Sequence, residues 1–143
     1  NSKLPYPNQH QAGLYHLAIL FAERGELAQA LKRIFAQHFP LFTGSSDHLV
    51  SEAFYFHDPE GNGVELYYDR DPKSWVWQDG TIIMGTKYID PHLYIQENSQ
   101  KSLSSQKKLG HIHLKVGDIE KAKHFYEKLG FGPTHEGMKL YLE

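Results

Sequence analysis

The chain repeats itself, and the repeat limits what it can fold into. Residues 13–19 read GLYHLAI and residues 110–116 read GHIHLKV. Each run is short and apolar, as a strand is, and each is followed by a stretch with helical periodicity. In the first unit that stretch is 24–38, where Leu27, Leu31, Ile34, Phe35 and His38 share one side. In the second it is 119–129, where Ile119, Ala122, Phe125, Tyr126 and Leu129 are expected to point inward. Such amphipathic helices bury one face against a sheet. Two equivalent units can pair about a local two-fold axis.

The first unit reads as strand–helix–strand–strand–strand. Residues 1–12 are a polar lead-in, and the strand follows at 13–21. The helix ends at Pro40, and a short strand over 41–43 gives way to a loop at 44–48. A strand at 51–57 leads to a dense turn signal at 58–63, where Asn62 and Gly63 are expected to supply positive φ angles. The return strand covers 64–68. A charged connection over 69–80 carries Trp75 and Trp77, which cap a core or edge a pocket. The unit is placed at 13–85. Residues 86–108 lack a sustained period and turn Ser/Gln/Lys-rich at 98–108, which reads as a linker. The second unit occupies 109–143, with Asp118 as a helix cap, Gly130 or Gly132 as the stop and a further strand at 137–143. The fold class is α+β, built from paired βαβββ modules with the second incomplete. Unpaired sheet edges are costly, so missing modules or a homo-oligomeric partner are expected to complete the fold.

A length of 143 residues fits one domain or two small modules sharing a core. The absence of cysteine removes disulfides, thiolate zinc sites and thiol nucleophiles. The net charge of −2 supplies no field for nucleic acid or an anionic membrane. No apolar run approaches the ~20 residues of a spanning helix, and the first residues lack a signal-peptide core; a cytoplasmic location is expected. Ten histidines are the one compositional excess. Histidine is the commonest protein metal ligand.

Glu65 lies between Val64 and Leu66. Strand alternation lets it face solvent; if it faces the core it needs a partner such as a metal. His16 sits in mid-strand among apolar residues, either as a core histidine satisfied by a carbonyl or as a ligand. His111 is taken as its counterpart in the second repeat, with His113 the rival on the same strand face. If the repeats pair about a two-fold, His16 and His111 meet across one cavity and Glu65 joins them. Two histidines and a carboxylate with open positions opposite is the ligand set of non-haem Fe(II) oxygenases. His48 reads equally as a solvated loop residue, and Tyr55 as an ordinary cross-strand aromatic. His57 is expected to shape the turn. His10, His38, His92, His124 and His135 read as solvated or helix-face residues.

The stretch Phe54-Tyr55-x-x-Asp58-Pro59-x-Gly61-x-x-x-Glu65, preceded by His48, resembles the signature of extradiol ring-cleavage dioxygenases of the catechol-2,3-dioxygenase type. These belong to the vicinal oxygen chelate superfamily, together with glyoxalase I and the bleomycin- and fosfomycin-resistance proteins. The superfamily fold is a pair of βαβββ modules closing around a metal, and the repeat is similar to it. The resemblance covers 13–70 well and 109–135 in part. It implies that His16 and Glu65 are metal ligands, that Tyr55 hydrogen-bonds the substrate and that His48 supports the oxygen side. In two-domain members the other metal histidine comes from the module before the Glu-bearing one; here His111, in the module after it, is the candidate. The implied activity is cleavage of a catechol-type aromatic diol by O2 next to its two hydroxyls. The implied metal is Fe(II), with Mn(II) or Zn(II) as alternatives. The competing readings are a glyoxalase-type isomerase or lyase, and a non-enzymatic drug-binding protein of the resistance type.

Overall fold

The computed structural model describes residues 8, 10–37, 41–99 and 107–131. A five-stranded sheet runs in the order β2-β3-β4-β1-β7. Its strands are β1 (Gly13–Phe21), β2 (Phe42–Asp47), β3 (Ser51–His57), β4 (Gly63–Asp69) and β7 (Lys107–Lys115). Helix α1 (Arg24–Ala36) follows β1, a two-stranded hairpin is formed by β5 (Trp77–Gln78) and β6 (Thr81–Ile82), α2 is Pro91–Asn98 and α3 is Ile119–Lys128. Strand β1 lies parallel to β4 and antiparallel to β7. The first strands of the two repeats are therefore neighbours, as two-fold pairing requires.

The core fills one face of the sheet. Alternation sends Phe21, Phe54, Phe56 and Leu66 to the side covered by Leu27, Ala28, Ala30 and Leu31 of α1. Leu27, Leu31 and Phe54 are fully buried, each contributing roughly 1.5–3 kcal/mol by leaving water. Helix α1 has Glu26 in its first turn and Arg33 in its last, both favourable to its dipole. On the other face, Ala18, Ala53 and Tyr67 form a second, smaller cluster.

The structure corrects several expectations. Residues 44–47, expected in a loop, extend β2: pairing with β3 carries the strand through Ser45↔Phe54, Ser46↔Ala53 and Asp47↔Glu52, so tertiary pairing overrides weak strand propensity. In the β3–β4 turn the positive φ belongs to Gly61, at 84°, and to neither Asn62 nor Gly63. Asp58 holds that turn, its carboxylate accepting from the backbone N–H groups of Glu60 and Asn62 and from the Asn62 side chain. Gly63 serves another purpose. A Cβ there would strike the Tyr15 carbonyl and lie 2.8 Å from His16 Cβ, so glycine lets β4 close on β1.

The 86–108 segment, expected as a linker, contains α2. Asp90 caps it by accepting from the N–H groups of His92 and Leu93, and Pro91 takes the first turn. Tyr94 of α2 packs on Phe54 at 4.8 Å between ring centres. Strand β7 begins at Lys107, inside the same segment. In the second repeat Asp118 caps α3 through the Lys121 N–H, but none of the residues of α3 is buried, including those expected to point inward. Leu109, Ile112, Phe125 and Leu129 stay exposed. The lead-in 1–7, His38, Pro40, Gly132, His135 and the strand at 137–143 lie outside the described residues.

Beside α1 and α2 an ionic cluster gathers on the buried carboxylate of Glu52. Glu52 accepts from Arg24 at 2.8 and 2.7 Å, from Arg70 Nε at 3.0 Å and from the Tyr94 hydroxyl at 3.1 Å. Burial pushes the Glu52 carboxyl up, but the hydrogen bonds from Arg24 and Arg70 outweigh it and leave it lowered.

Candidate metal centre

Three adjacent strands each send one donor to the face opposite α1. His16 is on β1, Glu65 on β4 and His111 on β7. Register explains their convergence. Ala18 is the cross-strand partner of Glu65 on one side and of His111 on the other, and His16 lies two residues before it on the same face. The methyl group of Ala18, fully buried, leaves room above it for the three longer side chains.

Their donor atoms form a compact triangle. His16 Nε2 is 2.9 Å from Glu65 Oε2, His111 Nε2 is 3.3 Å from the same oxygen, and the two nitrogens are 3.3 Å apart. Donors ~2.1 Å from a common ion and at right angles to one another stand ~3.0 Å apart. The triangle therefore fits one face of the coordination shell of a divalent cation. The donor set, two imidazoles and one carboxylate, suits zinc or a transition metal such as iron. Glu65 is 5% exposed and His16 8%, whereas the His111 side chain is 45% exposed, which opens the triangle on its side. Burial pushes the Glu65 carboxyl up, but hydrogen bonds from His111 and His16 overcome it and hold it at about 2. Glu65 is thus an anion at neutral pH, and the solvent-facing alternative does not hold.

His113 has a different place. It is the direct cross-strand partner of His16, and it is also the residue that falls opposite His16 when Gly13 and Gly110 are superposed. Repeat position thus favours His113, but distance favours His111. The His113 ring stands edge-on to His16 at 4.8 Å. Burial, with His16 and His111 nearby, lowers its pKa.

A second polar pair lies on the same face. His48 follows β2, and its Nδ1 is 2.9 Å from the Gly85 carbonyl. A carbonyl only accepts, so Nδ1 carries the proton. In the neutral ring Nε2 then accepts from the Tyr55 hydroxyl, 3.0 Å away. Tyr55 is the cross-strand partner of Glu65, and its ring centre is 6.0 Å from that of His16. Burial first, then the Glu65 charge, raises the Tyr55 phenol far above its ordinary value. Tyr55 stays a hydrogen-bond donor through the neutral range.

The remaining candidates lie elsewhere. His57 is exposed at the end of β3 and His10 in the entry turn. His92 packs tilted against Phe35 at 5.4 Å between ring centres, and His124 is exposed on α3. Trp75 donates its indole N–H to the Arg70 carbonyl at 3.1 Å, and Trp77 is exposed on the small hairpin. Sequence reasoning passed over Tyr67, Gly85, Gly110 and Ala18. Tyr67, two residues past Glu65 and so on its face, packs its ring 5.2 Å from that of His111. A Cβ at Gly110 would strike the Tyr67 hydroxyl. The period-two spacing from Glu65 was the available signal for Tyr67.

No family model matches the chain, and no solved structure matches it significantly. A curated protein does. The chain is 40% identical over 135 residues to a catechol-2,3-dioxygenase of Bacillus subtilis (strain 168), an alignment that covers 91% of this chain and 47% of that protein. The chain spans about half the length of the curated relative it matches. That identity, together with the mixed sheet and helices, supports a relationship to extradiol dioxygenase-like proteins.

Proposed function

We propose that this chain carries the metal centre of an extradiol ring-cleavage dioxygenase acting on a catechol-type diol with O2. The observation that carries the reading is the triangle of His16, Glu65 and His111, with edges of 2.9–3.3 Å and one side open. The 40% identity to a protein named catechol-2,3-dioxygenase supplies the substrate class.

His16, Glu65 and His111 would hold a divalent ion, Fe(II) in this reading. Bound there, the ion would supply Lewis-acid chemistry toward the diol and O2. The protein's share is charge, orientation and protons. One carboxylate and two neutral imidazoles leave the site net positive, which favours a diol that has lost a proton. The pair of His48 and Tyr55 handles protons. The Tyr55 hydroxyl can take a diol proton at its oxygen while passing its own to His48 Nε2, and His48 stays oriented through Nδ1–H to the Gly85 carbonyl. Buried His16 and Glu65 exclude water from one side of the triangle. The exposed side of His111 is the entry. The product is a ring-opened semialdehyde, broken next to the hydroxyl-bearing carbons. The apolar residues that β7 and α3 leave exposed are where further modules or a second copy would pack. No described helix is long and apolar enough to cross a membrane.

The test is anaerobic loading with Fe(II), then catechol, then air, with absorbance followed for a yellow product and His16→Ala beside the wild type. Colour in the wild type alone supports the reading. Tight iron binding without colour for catechol or bulkier diols would move it to an isomerase or lyase. Wild-type iron content in His16→Ala would remove the metal site.

A further inference from the structure

Arg70 lies outside the metal triangle and on the other face of the sheet, yet it is bonded to both sides of the turn that carries His48. Its backbone N–H donates to the Val50 carbonyl at 2.8 Å. Its Nη1 donates to the Leu49 carbonyl at 3.3 Å and its Nη2 to Asp47 Oδ2 at 2.8 Å. Its Nε donates to Glu52 Oε1 at 3.0 Å. One side chain thus spans residues 47 to 52.

That turn is strained where it matters. Leu49 has φ of 69°, a left-handed conformation that residues with a Cβ rarely adopt. Asp47 supports it from the other side, its Oδ1 accepting the Leu49 N–H at 2.8 Å. Between Asp47 and Leu49 sits His48, which exchanges two bonds with Gly85: the Gly85 N–H donates to the His48 carbonyl at 3.2 Å, and His48 Nδ1–H donates to the Gly85 carbonyl. If Leu49 relaxed, the His48 backbone would rotate and both bonds to Gly85 would be lost, leaving Nε2 no longer aimed at Tyr55.

We propose that Arg70 is a positioning residue for the His48–Tyr55 pair, holding the 47–50 turn in the strained conformation that fixes the His48 tautomer and aims Nε2 at the Tyr55 hydroxyl. Its catalytic consequence rests on the dioxygenase reading. A planar guanidinium can bond Asp47, Leu49 and Glu52 at once, and a lysine ammonium cannot do so in that geometry. The competing explanation is that Arg70 only neutralises Glu52. Arg24 separates the two, because it binds the same carboxylate through two bonds and makes none of the contacts to the turn described for Arg70.

The experiment compares Arg70→Lys, Asp47→Asn and Arg24→Gln. The first readout is the ¹⁵N-histidine NMR signature of the metal-free protein at pH 8. Wild type and Arg24→Gln are expected to show His48 protonated at Nδ1. Arg70→Lys and Asp47→Asn are expected to show an average of both tautomers. Asp47→Asn leaves every partner of Glu52 in place, so it decides the question even where Arg70→Lys folds poorly. The second readout is catechol turnover. In Arg70→Lys and Asp47→Asn, kcat is expected to fall about tenfold to a hundredfold, with KM and metal content unchanged. A wild-type His48 signature in both turn variants would overturn the proposal, and so would an equal change in Arg24→Gln. If the iron-loaded wild type turns over neither catechol nor bulkier diols, the dioxygenase reading fails, while the NMR comparison still decides the role of Arg70.

Discussion

Replacing Glu65 with glutamine changes one oxygen to an amide and keeps the volume, so it isolates the charge. The Glu65 oxygen lies 2.9 Å from His16 Nε2 and 3.3 Å from His111 Nε2, in the position of a third ligand. It is also the only anionic donor of the triangle. At an effective dielectric of ~20, a single negative charge ~2.1 Å from a doubly charged ion interacts by ~16 kcal/mol. Most of that is cancelled by stripping water from both, so it bounds the effect and does not measure it. A better scale comes from the outer shell. Loss of a group that merely orients a ligand typically weakens metal binding by about 10–100-fold. Loss of the anionic ligand itself must exceed the upper end of that range. Glu65→Gln is therefore expected to raise the dissociation constant for Fe(II), Mn(II) and Zn(II) by more than about 100-fold, or ~2.7 kcal/mol. Anaerobic calorimetry or competition with a chromophoric chelator measures it. Glu60→Gln, in the exposed β3–β4 turn, is the matched control and should bind as the wild type does. A Glu65→Gln constant within threefold of wild type would show that the triangle is only a hydrogen-bonded cluster.

Tyr55→Phe should keep full metal content and lower kcat by roughly a hundredfold, the usual scale for a lost acid–base group; an unchanged kcat would remove Tyr55 from the chemistry. Ala18→Leu pushes three carbons into the space above a fully buried methyl flanked by Glu65 and His111. It should cost about 1–3 kcal/mol in denaturant unfolding and abolish metal binding, and wild-type binding would disprove the role given to Ala18. Glu52 makes a pH prediction. Its folded carboxyl lies below the ordinary value because the Arg24 and Arg70 hydrogen bonds outweigh burial. Its contribution is therefore complete above the unfolded carboxyl value of ~4.3 and is lost as pH falls toward the folded one. Between pH 5 and 3 the wild type should lose urea stability more steeply than Glu52→Gln, and parallel curves would refute the assignment.

The sequence showed the parts of this molecule that rest on local periodicity. Strands β1 and β3 and helix α1 are legible because Ile19, Phe21, Leu27 and Leu31 obey simple spacings over long enough windows. Glu65 was legible as a problem, a charge in an apolar strand, and its solution lay in residues far away. Convergence of His16, Glu65 and His111 depends on the order of strands in the sheet and on the register against Ala18, which no local window contains. Segment 44–47 was missed because its strand is imposed by β3. Helix α2 carries a local mark in its Asp90–Pro91 cap, but its eight residues are too few to show a sustained helical period. The left-handed residue at Leu49 and the donation from His48 to Gly85 follow from tertiary contacts and left no local mark.

The strand order has one more consequence, for how the site comes and goes. His16 and His111 are separated by 95 residues, and β7 lies at the edge of the sheet as described. Bringing β7 to β1 closes a long loop, which carries an entropic cost, and an edge strand is among the first elements to open locally. An ion held by donors from β4, β1 and β7 acts as a rivet across that seam. At a free concentration a hundred times its dissociation constant it adds ~2.7 kcal/mol to the closed form. Amide hydrogens of β7 should then exchange with solvent far more slowly in the metal-loaded protein than in the metal-free one, while those of β2, at the opposite edge, gain little.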